Sequence, residues 1–174
     1  SYSTLISFIL SEITKGLNSR LGYSYLDTKE RPKAGGGYTR RLTDQTHTIQ
    51  VFLQDKISKH PNWQSHLRFL FGSGFLYYYP TVQTNNETGQ REMKIELSNP
   101  REYLIYLRVD MGLSANFNVG AGKIIAVAEV LNMFDQKNIA NYNFVQVFKD
   151  FKYPIQIPTV LSSRFFNIRC EYYF

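Results

Sequence analysis

The chain has 174 residues, enough for one ordinary hydrophobic core or for a small membrane barrel, so its length excludes neither. Tyr and Phe contribute 13 residues each, and this aromatic content is typical of strands and bilayer interfaces rather than of helices. The formal net charge of +6 comes from basic residues that are scattered singly, without the basic tract that a nucleic-acid partner favours. Composition therefore predicts an all-β protein that binds no nucleic acid.

No stretch of the sequence predicts a membrane-spanning helix. The longest apolar run, residues 124–134, is interrupted by Glu129 and Asn132 and is shorter than the roughly 20 residues that such a helix requires. The opening segment, SYSTLISFILSE, has no basic region and no small-residue cleavage site, so it does not predict a signal peptide. The single cysteine, Cys170, has no Cys or His at metal-ligand spacing, and we interpret it as a small apolar side chain.

Alternation of apolar and polar residues, followed in chain order, predicts seven β-strands. The first of these strands is the least regular, and the last is the clearest. In the last strand, Phe166, Ile168 and Cys170 alternate with Asn167 and Arg169. The predicted strands span residues 2–13, 17–27, 43–57, 63–75, 103–117, 123–133 and 165–174.

The connectors between these strands alternate between short and long. The three short ones are 14–16, 58–62 and 118–122, and the three long ones are 31–41, 78–100 and 135–162. Outer-membrane barrels sort their connectors in this way, with short periplasmic turns and long extracellular loops, whereas a soluble sandwich has no reason to do so. Because only helices and closed barrels satisfy every backbone group within a bilayer, the sequence predicts an antiparallel transmembrane β-barrel.

Three patches of sequence go beyond general barrel character: RLTDQTHTIQVFLQDKIS at 41–58, LRFLFGSGFLYYYP at 67–80 and EVLNMFDQKNIANYNF at 129–144. Together with the terminal strand SRFFNIRCEYYF, they resemble the end of TonB-dependent receptors. The first is similar to the family's Asp-Gln-x-His strand opening, and the second to its Gly-Ser-Gly and aromatic-Pro strand exit. The third is close to Glu-Val-x-Asn-Leu-Phe-Asn, although Asp135 stands where Asn is commoner, and the family's Pro-Pro-x-His-Arg approach to the fifth strand is missing.

The resemblance implies a barrel of about 22 strands with an N-terminal plug domain in its lumen, of which residues 1–174 are about a third, without the plug. It implies active import of a scarce solute, such as a siderophore, glycan or peptide, across the outer membrane of a Gram-negative bacterium. The implied partners are the outer-membrane lipid, the rest of the barrel, the plug, the TonB energy-coupling complex that is reached through the plug, and a surface lipoprotein.

The polar faces of the predicted strands carry seven ionisable side chains, which we expect to face the lumen. In one interpretation they line a hydrated path or contact the plug. In the other they only pair across strands, as is common in barrel interiors. The predicted lumen-facing residues are His66, Arg68, Arg108, Asp110, Glu129, Arg169 and Glu171.

Aromatic and amide side chains near the long connectors are candidates for ligand binding. Three tyrosines precede Pro80 at the exit of the fourth strand, where they either stack on a ligand ring or form the aromatic girdle at the lipid interface. Amides at 85–90 and 138–143 either hydrogen-bond a polar ligand or are simply solvated. The predicted ligand-binding residues are Tyr77, Tyr78, Tyr79, Asn85, Asn86, Asn141 and Tyr142.

The terminal strand resembles the β-signal that the outer-membrane assembly machinery reads. The resemblance implies this role for Phe166, Ile168, Tyr172 and Phe174.

No motif in the sequence indicates an enzyme. There is no Gly-x-Ser-x-Gly, no phosphate-binding glycine loop and no pair of His residues at ligand spacing, so we predict no catalytic residue, no metal site and no cofactor. One alternative function is left open, a complete small barrel of eight strands with a structural or adhesive role. Single-chain bacterial barrels have even strand numbers, so this alternative needs an eighth strand within 135–160.

Overall fold

The protein is built of β-strands. The computed structural model describes residues 2–11, 17–31, 37–146 and 153–174, with the backbone alone for Tyr2 and 96–99. Within these ranges it contains strands and no helix, which confirms the predicted all-β class. None of the described residues belongs to a helix long and apolar enough to cross a membrane. The strands are β1 (Tyr2–Ser11), β2 (Asn18–Glu30), β3 (Thr39–Arg40), β4 (His47–Ile57), β5 (His60–Gly72), β6 (Leu76–Thr84), β7 (Arg91–Glu102), β8 (Tyr106–Val119), β9 (Gly122–Leu131), β10 (Ile139–Val145), β11 (Ile155–Val160) and β12 (Phe165–Tyr173).

Seven long strands form one antiparallel sheet, the main sheet, in the order β1-β2-β4-β5-β8-β9-β12, and the short β3 pairs with the end of β2. These seven are the strands that the alternation predicts, in the predicted order. Their bounds differ at the polar strand exits. The fourth predicted strand ends at Gly72 rather than at residue 75, because Ser73 turns away to hydrogen-bond with His47. The third begins at His47 rather than at 43, since Asp44 lies in a turn.

The short connectors are tight turns at one end of the main sheet. Ser58 and Lys59 join β4 to β5, and Gly120 and Ala121 join β8 to β9. Both turns need left-handed backbone, with φ of 70° at Lys59 and 59° at Gly120, a conformation for which glycine has no steric penalty. These two turns are shorter than predicted. The third predicted short connector, 14–16, lies outside the described residues.

The long connectors contain strands of their own, so the prediction of plain loops at 78–100 and 135–162 is wrong. Strands β6 and β7 form one antiparallel hairpin, and β10 and β11 form another, each separate from the main sheet. The physical reason is visible in the sequence, because Pro80 and Val82 alternate with Thr81 and Gln83 and face Ile95 and Met93 across the hairpin. The described parts of the long connectors lie at the end of the main sheet opposite the tight turns.

Strand register places most of the apolar side chains of the long strands on one face, which we call the apolar face, whereas a few, among them Ile9, Phe52 and Leu70, lie on the opposite face. One row runs directly across the strands from Phe166 through Val130, Met111 and Leu67 to Leu53. A register slip of one residue in any strand would turn its apolar set to the other side. Charged residues of β2 and β4 enter this face only near the ends of the strands, at Asp27, Lys29 and Asp55.

The main sheet and the turns at its strand exits bury polar side chains and leave many large apolar side chains exposed. The largest fully buried side chains are polar, namely Asn132, Asp44, Asp110 and Ser19, whereas Ile168 on the apolar face is 85% exposed. Soluble proteins instead bury their aliphatic side chains and rarely expose one continuous apolar surface of this extent. The sheet therefore has polar anchoring points at strand exits and no compact apolar core beneath its apolar face.

The two outermost strands of the main sheet, β1 and β12, do not pair with each other among the described residues. Each has a neighbour on one side only, β2 for the first and β9 for the second. The hairpin of β10 and β11, which lies within the segment where the alternative function needs an eighth strand, does not join the main sheet. Each outer strand therefore presents a free row of backbone donors and acceptors.

Candidate functional site

All seven predicted lumen-facing residues share the face of the main sheet opposite to the apolar face, which we call the polar face. Antiparallel register places Arg68 directly opposite Asp110, and Gly112 between His66 and Glu129. Because side chains alternate along each strand, Arg108, Arg169 and Glu171 follow on the same face. The sequence periodicity therefore grouped these residues on one face of the sheet, and their contact with a lumen stays a prediction.

Several ionisable groups on β8, β9 and β12 are paired with one another or with β5. Nε2 of His66 lies 3.1 Å from Oε1 of Glu129, and Nδ2 of Asn167 donates to the other oxygen of Glu129 at 3.0 Å. Arg169 and Glu171 form an ion pair of 2.9 Å along β12. The contacts of Glu129 run between strands, as in the interpretation of cross-strand pairing, whereas the pair of Arg169 and Glu171 lies within one strand.

Asp110 is the buried centre of a second group on the polar face. Its Oδ1 accepts hydrogen bonds from Nε of Arg108 at 2.7 Å and from the backbone N-H of Asn132 at 2.9 Å. Its Oδ2 lies 3.5 Å from Nε of Arg68 but has no hydrogen-bond partner among the described residues. The carboxylate thus connects β8 to the turn that follows β9, and it is held by two arginines.

Asn132 anchors the turn after β9, within the third patch of sequence. Its backbone has a left-handed φ of 51°, and its Nδ2 donates to the carbonyls of Gln136 and Ser162, both at 3.0 Å. Its Oδ1 accepts from the N-H of Gln136 at 3.1 Å. Asparagine tolerates this backbone and supplies both donor and acceptor, which explains the residue type at this position. We did not assign this role from the sequence.

Asp44 has a similar role in the first patch of sequence. Its side chain is fully buried, and Oδ2 accepts from the backbone N-H of Thr28 at 2.9 Å and lies 3.5 Å from Nε of Arg40. The neighbouring His47 exchanges hydrogen bonds with Ser73, the central residue of Gly-Ser-Gly, at 3.0 and 2.8 Å. The first two patches are therefore in direct contact, and their motifs hold the exits of β2, β4 and β5 together.

Aromatic side chains gather where the two hairpins meet, and we call this group the aromatic cluster. Its members are Tyr77, Tyr79, Tyr103, Tyr142 and Phe144. The rings of Tyr103 and Tyr142 stack at 5.0 Å with 12° between their planes, and Tyr77 approaches them at 4.7 and 5.1 Å. Because these rings cover one another, the cluster fastens the β6 to β7 hairpin to the β10 to β11 hairpin.

Hydrogen bonds at the phenol groups strengthen the aromatic cluster. The hydroxyl of Tyr103 donates to Oδ1 of Asn141 at 3.1 Å, and that of Tyr79 donates to the carbonyl of Pro154 at 2.8 Å. Burial raises the pKa of both Tyr103 and Tyr142 above the ordinary tyrosine value. The phenols are therefore protonated donors at neutral pH.

The structure separates the predicted ligand-binding residues into two groups. Tyr77, Tyr79, Asn141 and Tyr142 meet at the aromatic cluster, which also includes two residues that we did not predict, Tyr103 and Phe144. The remaining ones lie elsewhere on the β6 to β7 hairpin. Tyr78 is half-buried opposite Pro100, and Asn85 and Asn86 lie at the turn, where Oδ1 of Asn85 accepts from the N-H of Glu87 at 2.9 Å.

The sequence did not predict Tyr103 as a cluster member, because its position continues the apolar alternation of the strand that follows it. The actual strand β8 begins three residues later, at Tyr106, and the backbone N-H of Tyr103 donates to the carbonyl of Phe75 at 2.8 Å. The three consecutive tyrosines at 77–79 in the second patch were a sequence signal for an aromatic cluster, but only the fold shows which rings they contact.

Three residues of the predicted assembly signal, Phe166, Ile168 and Tyr172, lie on the apolar face of the edge strand β12, and Phe174 follows the end of that strand. Phe166, Ile168, Tyr172 and Phe174 are all exposed, and Cys170 lies in the same line. This placement confirms the alternation in the terminal strand. Their role in assembly stays a prediction.

The three histidines lie on different parts of the main sheet. Nδ1 of His47 is 2.9 Å from the hydroxyl of Tyr23, His66 pairs with Glu129, and His60 begins β5. Among the described residues, no three His, Cys, Asp or Glu side chains are grouped so that they could hold a metal ion.

Comparisons of the chain with protein-family models, with curated proteins and with solved structures gave no match.

Proposed function

We propose that the main sheet is a section of the wall of a transmembrane β-barrel in a bacterial outer membrane, and that the complete barrel imports a scarce solute. The observation that carries the membrane part is the apolar face, with its unbroken row from Leu53 to Phe166 across five strands. In water, each exposed methylene of this surface costs about 0.8 kcal/mol relative to an apolar environment. Hydrocarbon chains of a bilayer remove this cost for the whole face at once.

The arrangement of connectors supports the same proposal. Tight turns end the strands on one side of the main sheet, and hairpin-bearing connectors end them on the other. Outer-membrane barrels have this asymmetry, with short turns towards the periplasm and long connectors towards the outside. The two hairpins and the aromatic cluster then lie at the outer surface, and Phe174 lies at the periplasmic rim.

Closure of the barrel requires strands beyond those of the main sheet. In hydrocarbon each unsatisfied backbone group costs several kcal/mol, so neither β1 nor β12 is stable there as a free edge. We propose that β1 and β12 each pair with a further strand of the complete barrel. The polar face then lines the lumen, in contact with water or with a plug domain.

The import role is supported by the resemblance of three patches of sequence to TonB-dependent receptors. In this structure those patches form the strand exits around Asp44, Ser73 and Asn132, which is a structural role that a large barrel with long connectors needs. The proposed energy source is the TonB complex acting through a plug, and the proposed cargo is a siderophore, glycan, peptide or similar solute. A surface lipoprotein that contacts the hairpins is a further proposed partner.

The alternative of a complete eight-stranded barrel requires two features. It requires β1 to pair with β12, and it requires an eighth strand in the main sheet between β9 and β12. Among the described residues the main sheet has neither feature. No observation favours a structural or adhesive role over import.

Labelling of Cys170 tests the membrane location. The thiol lies on the apolar face, next in line to Ile168, so in outer-membrane fragments it should react with a water-soluble maleimide only after denaturation. The matched control is Lys59→Cys in a Cys170→Ser background, which places a thiol in the exposed turn between β4 and β5. The control should be labelled at once. Equal labelling rates for the two thiols in intact fragments would contradict the proposal.

Nutrient-dependent growth tests the import role. The gene should be deleted in the bacterium of origin, and in a second strain its energy-coupling complex should be deleted. Both strains should fail to grow on the same scarce nutrient among iron chelates, glycans, peptides and cobalamins. Import would be refuted if the strain that lacks this gene grows normally on every nutrient that the strain without the energy-coupling complex fails to use.

A further inference from the structure

The polar face is electrostatically divided into two halves. On β8, β9 and β12, acids and bases are paired, as in Arg108 with Asp110 and Arg169 with Glu171. On β1, β2, β4 and β5, the described polar face carries the cations Arg20, Lys56 and Arg68, of which Arg68 lies beside Asp110 of β8. The acid on the same face of these four strands is Glu30 at the end of β2, where it pairs with Arg41. This second half therefore has an excess of positive charge.

A cavity of about 430 Å³ opens on the positively charged half of the polar face, and we call it the arginine notch. Its walls include the guanidinium-bearing Arg20 and Arg68 and three apolar side chains, Ile9, Phe52 and Leu70. Gly22 leaves space at its floor, since a Cβ there would have no neighbour closer than 4.0 Å. The volume lies within the range of about 300 to 1,000 Å³ that is usual for small-molecule sites.

The two arginines of the notch stand on either side of one aromatic ring. Antiparallel register places Arg20 opposite Phe52, and Phe52 opposite Arg68. Two strand spacings separate the arginines, so their Cα atoms are about 10 Å apart. Long flexible side chains at this separation are able to direct both guanidinium groups at one anion above the ring.

Both arginines retain donors that the described part of the protein does not use. Arg20 forms no ion pair among the described residues. Nε of Arg68 is 3.5 Å from Oδ2 of Asp110, and that oxygen accepts no hydrogen bond. A guanidinium group has five N-H donors in a planar fork that matches a carboxylate. The notch is therefore prepared for an anionic ligand.

We propose that the arginine notch binds an organic carboxylate carried on an apolar body, and that such anions are the class of solute that the barrel imports. This inference rests on the proposed function, because the polar face must border a water-filled lumen. The two guanidinium groups recognise the carboxylate, and Ile9, Phe52 and Leu70 cover the apolar body. A strongly hydrated inorganic anion would gain nothing from these three side chains.

A fluorescence titration tests this inference with the complete barrel in lipid bilayers. The probe is 2-naphthylacetate, and its neutral control is 2-naphthylacetamide, which has the same apolar body without the charge. The variants are Arg20→Gln and Arg68→Gln, compared with Lys56→Gln, which removes the same charge from the same face but outside the notch. Circular dichroism checks that each variant keeps its strand content.

We expect saturable binding of the carboxylate that is weakened about tenfold by either arginine substitution, since a hydrogen bond to a charged group contributes at least about 1.5 kcal/mol. Lys56→Gln should change the affinity less than twofold, and the amide should bind equally weakly to all variants. Equal binding of carboxylate and amide, or an equal loss in Lys56→Gln, would overturn the inference. The absence of saturable binding would also overturn it, and would indicate that a segment of polypeptide fills the notch.

Failure of this inference is distinguishable from failure of the proposed function. If Cys170 is protected from labelling but the notch does not discriminate between carboxylate and amide, the membrane location stands and the solute class is wrong. If Cys170 is labelled freely, the membrane location itself is wrong, whatever the probe does.

Discussion

His66 and Glu129 meet above Gly112, with 3.1 Å between Nε2 and Oε1, although a whole strand lies between the strands that carry them. The glycine is what permits this contact. A Cβ at residue 112 would lie 2.5 Å from Cε1 of His66 and 2.9 Å from Cγ of Glu129. Because Gly112 of β8 has no side chain, His66 of β5 and Glu129 of β9 are able to meet across it.

We predict that Gly112→Ala separates His66 from Glu129 and lowers the free energy of unfolding by roughly 1–3 kcal/mol, as overpacking usually does. Unfolding in urea from lipid vesicles measures the change. The control is Gly37→Ala, where a Cβ would meet nothing within 4 Å, and its stability should match that of the parent protein. Unchanged stability of Gly112→Ala would show that the two side chains do not need this space.

Arginine substitutions on the two faces of β12 should have unequal effects. If Ile168 faces hydrocarbon near the midplane, Ile168→Arg should lower stability in lipid by roughly 2 to 4 kcal/mol. Asn167→Arg should be much milder, because a guanidinium group there is still able to donate to Glu129, as Nδ2 of Asn167 does. Folding into vesicles measures both. Equal losses on the two faces would remove the basis for an apolar face in lipid.

Loss of the Asn132 side chain should release the turn after β9. Asn132→Ala removes the hydrogen bonds to Gln136 and Ser162 and places alanine at a φ of 51°, so we expect a loss of roughly 2–4 kcal/mol. Asn132→Gly should lose less, since glycine adopts this φ without strain. Asn86→Ala, at the exposed turn of the β6 to β7 hairpin, is the control and should be neutral in the same urea titration.

Alkaline pH should weaken the aromatic cluster. Because burial raises the pKa of Tyr103 above 10.0, its protonated phenol stabilises the fold at neutral pH, and this contribution is lost as the pH rises through the elevated value. In Tyr103→Phe, the decrease in stability between neutral and strongly alkaline pH should lack the part that Tyr103 contributes. Thermal unfolding measured over this pH range shows the difference, with Tyr78→Phe, outside the aromatic cluster, as the control. Identical pH profiles for Tyr103→Phe and the parent would argue against this role.

Deletion of Phe174 should reduce insertion into the outer membrane. The residue ends the exposed line of Phe166, Ile168 and Tyr172, which resembles an assembly signal. Deletion of Thr88, in the turn of the β6 to β7 hairpin, is the control and should leave insertion unchanged. Heat-modifiable migration and outer-membrane yield measure insertion. Equal yields of the two deletion variants would count against the signal.

The amino-acid sequence by itself determined the seven long strands, their order and the residues of each face. The reason is that side chains alternate with a period of two along every strand, so Phe166, Ile168 and Cys170 fall together whatever the strand pairs with. The turn at Gly120 was also readable, because its left-handed backbone favours a particular residue type.

Only the tertiary structure decided what the long connectors do and which side chains meet. The aromatic cluster joins Tyr77 to Tyr142, and the arginine notch joins Arg20 to Arg68, across long stretches of chain. Such contacts depend on register and on hairpin placement, which arise from pairings between distant strands and have no local pattern in the sequence. The same holds for Asp110, which accepts from Arg108 along β8 but also from the turn at Asn132, a contact that its own strand does not predict.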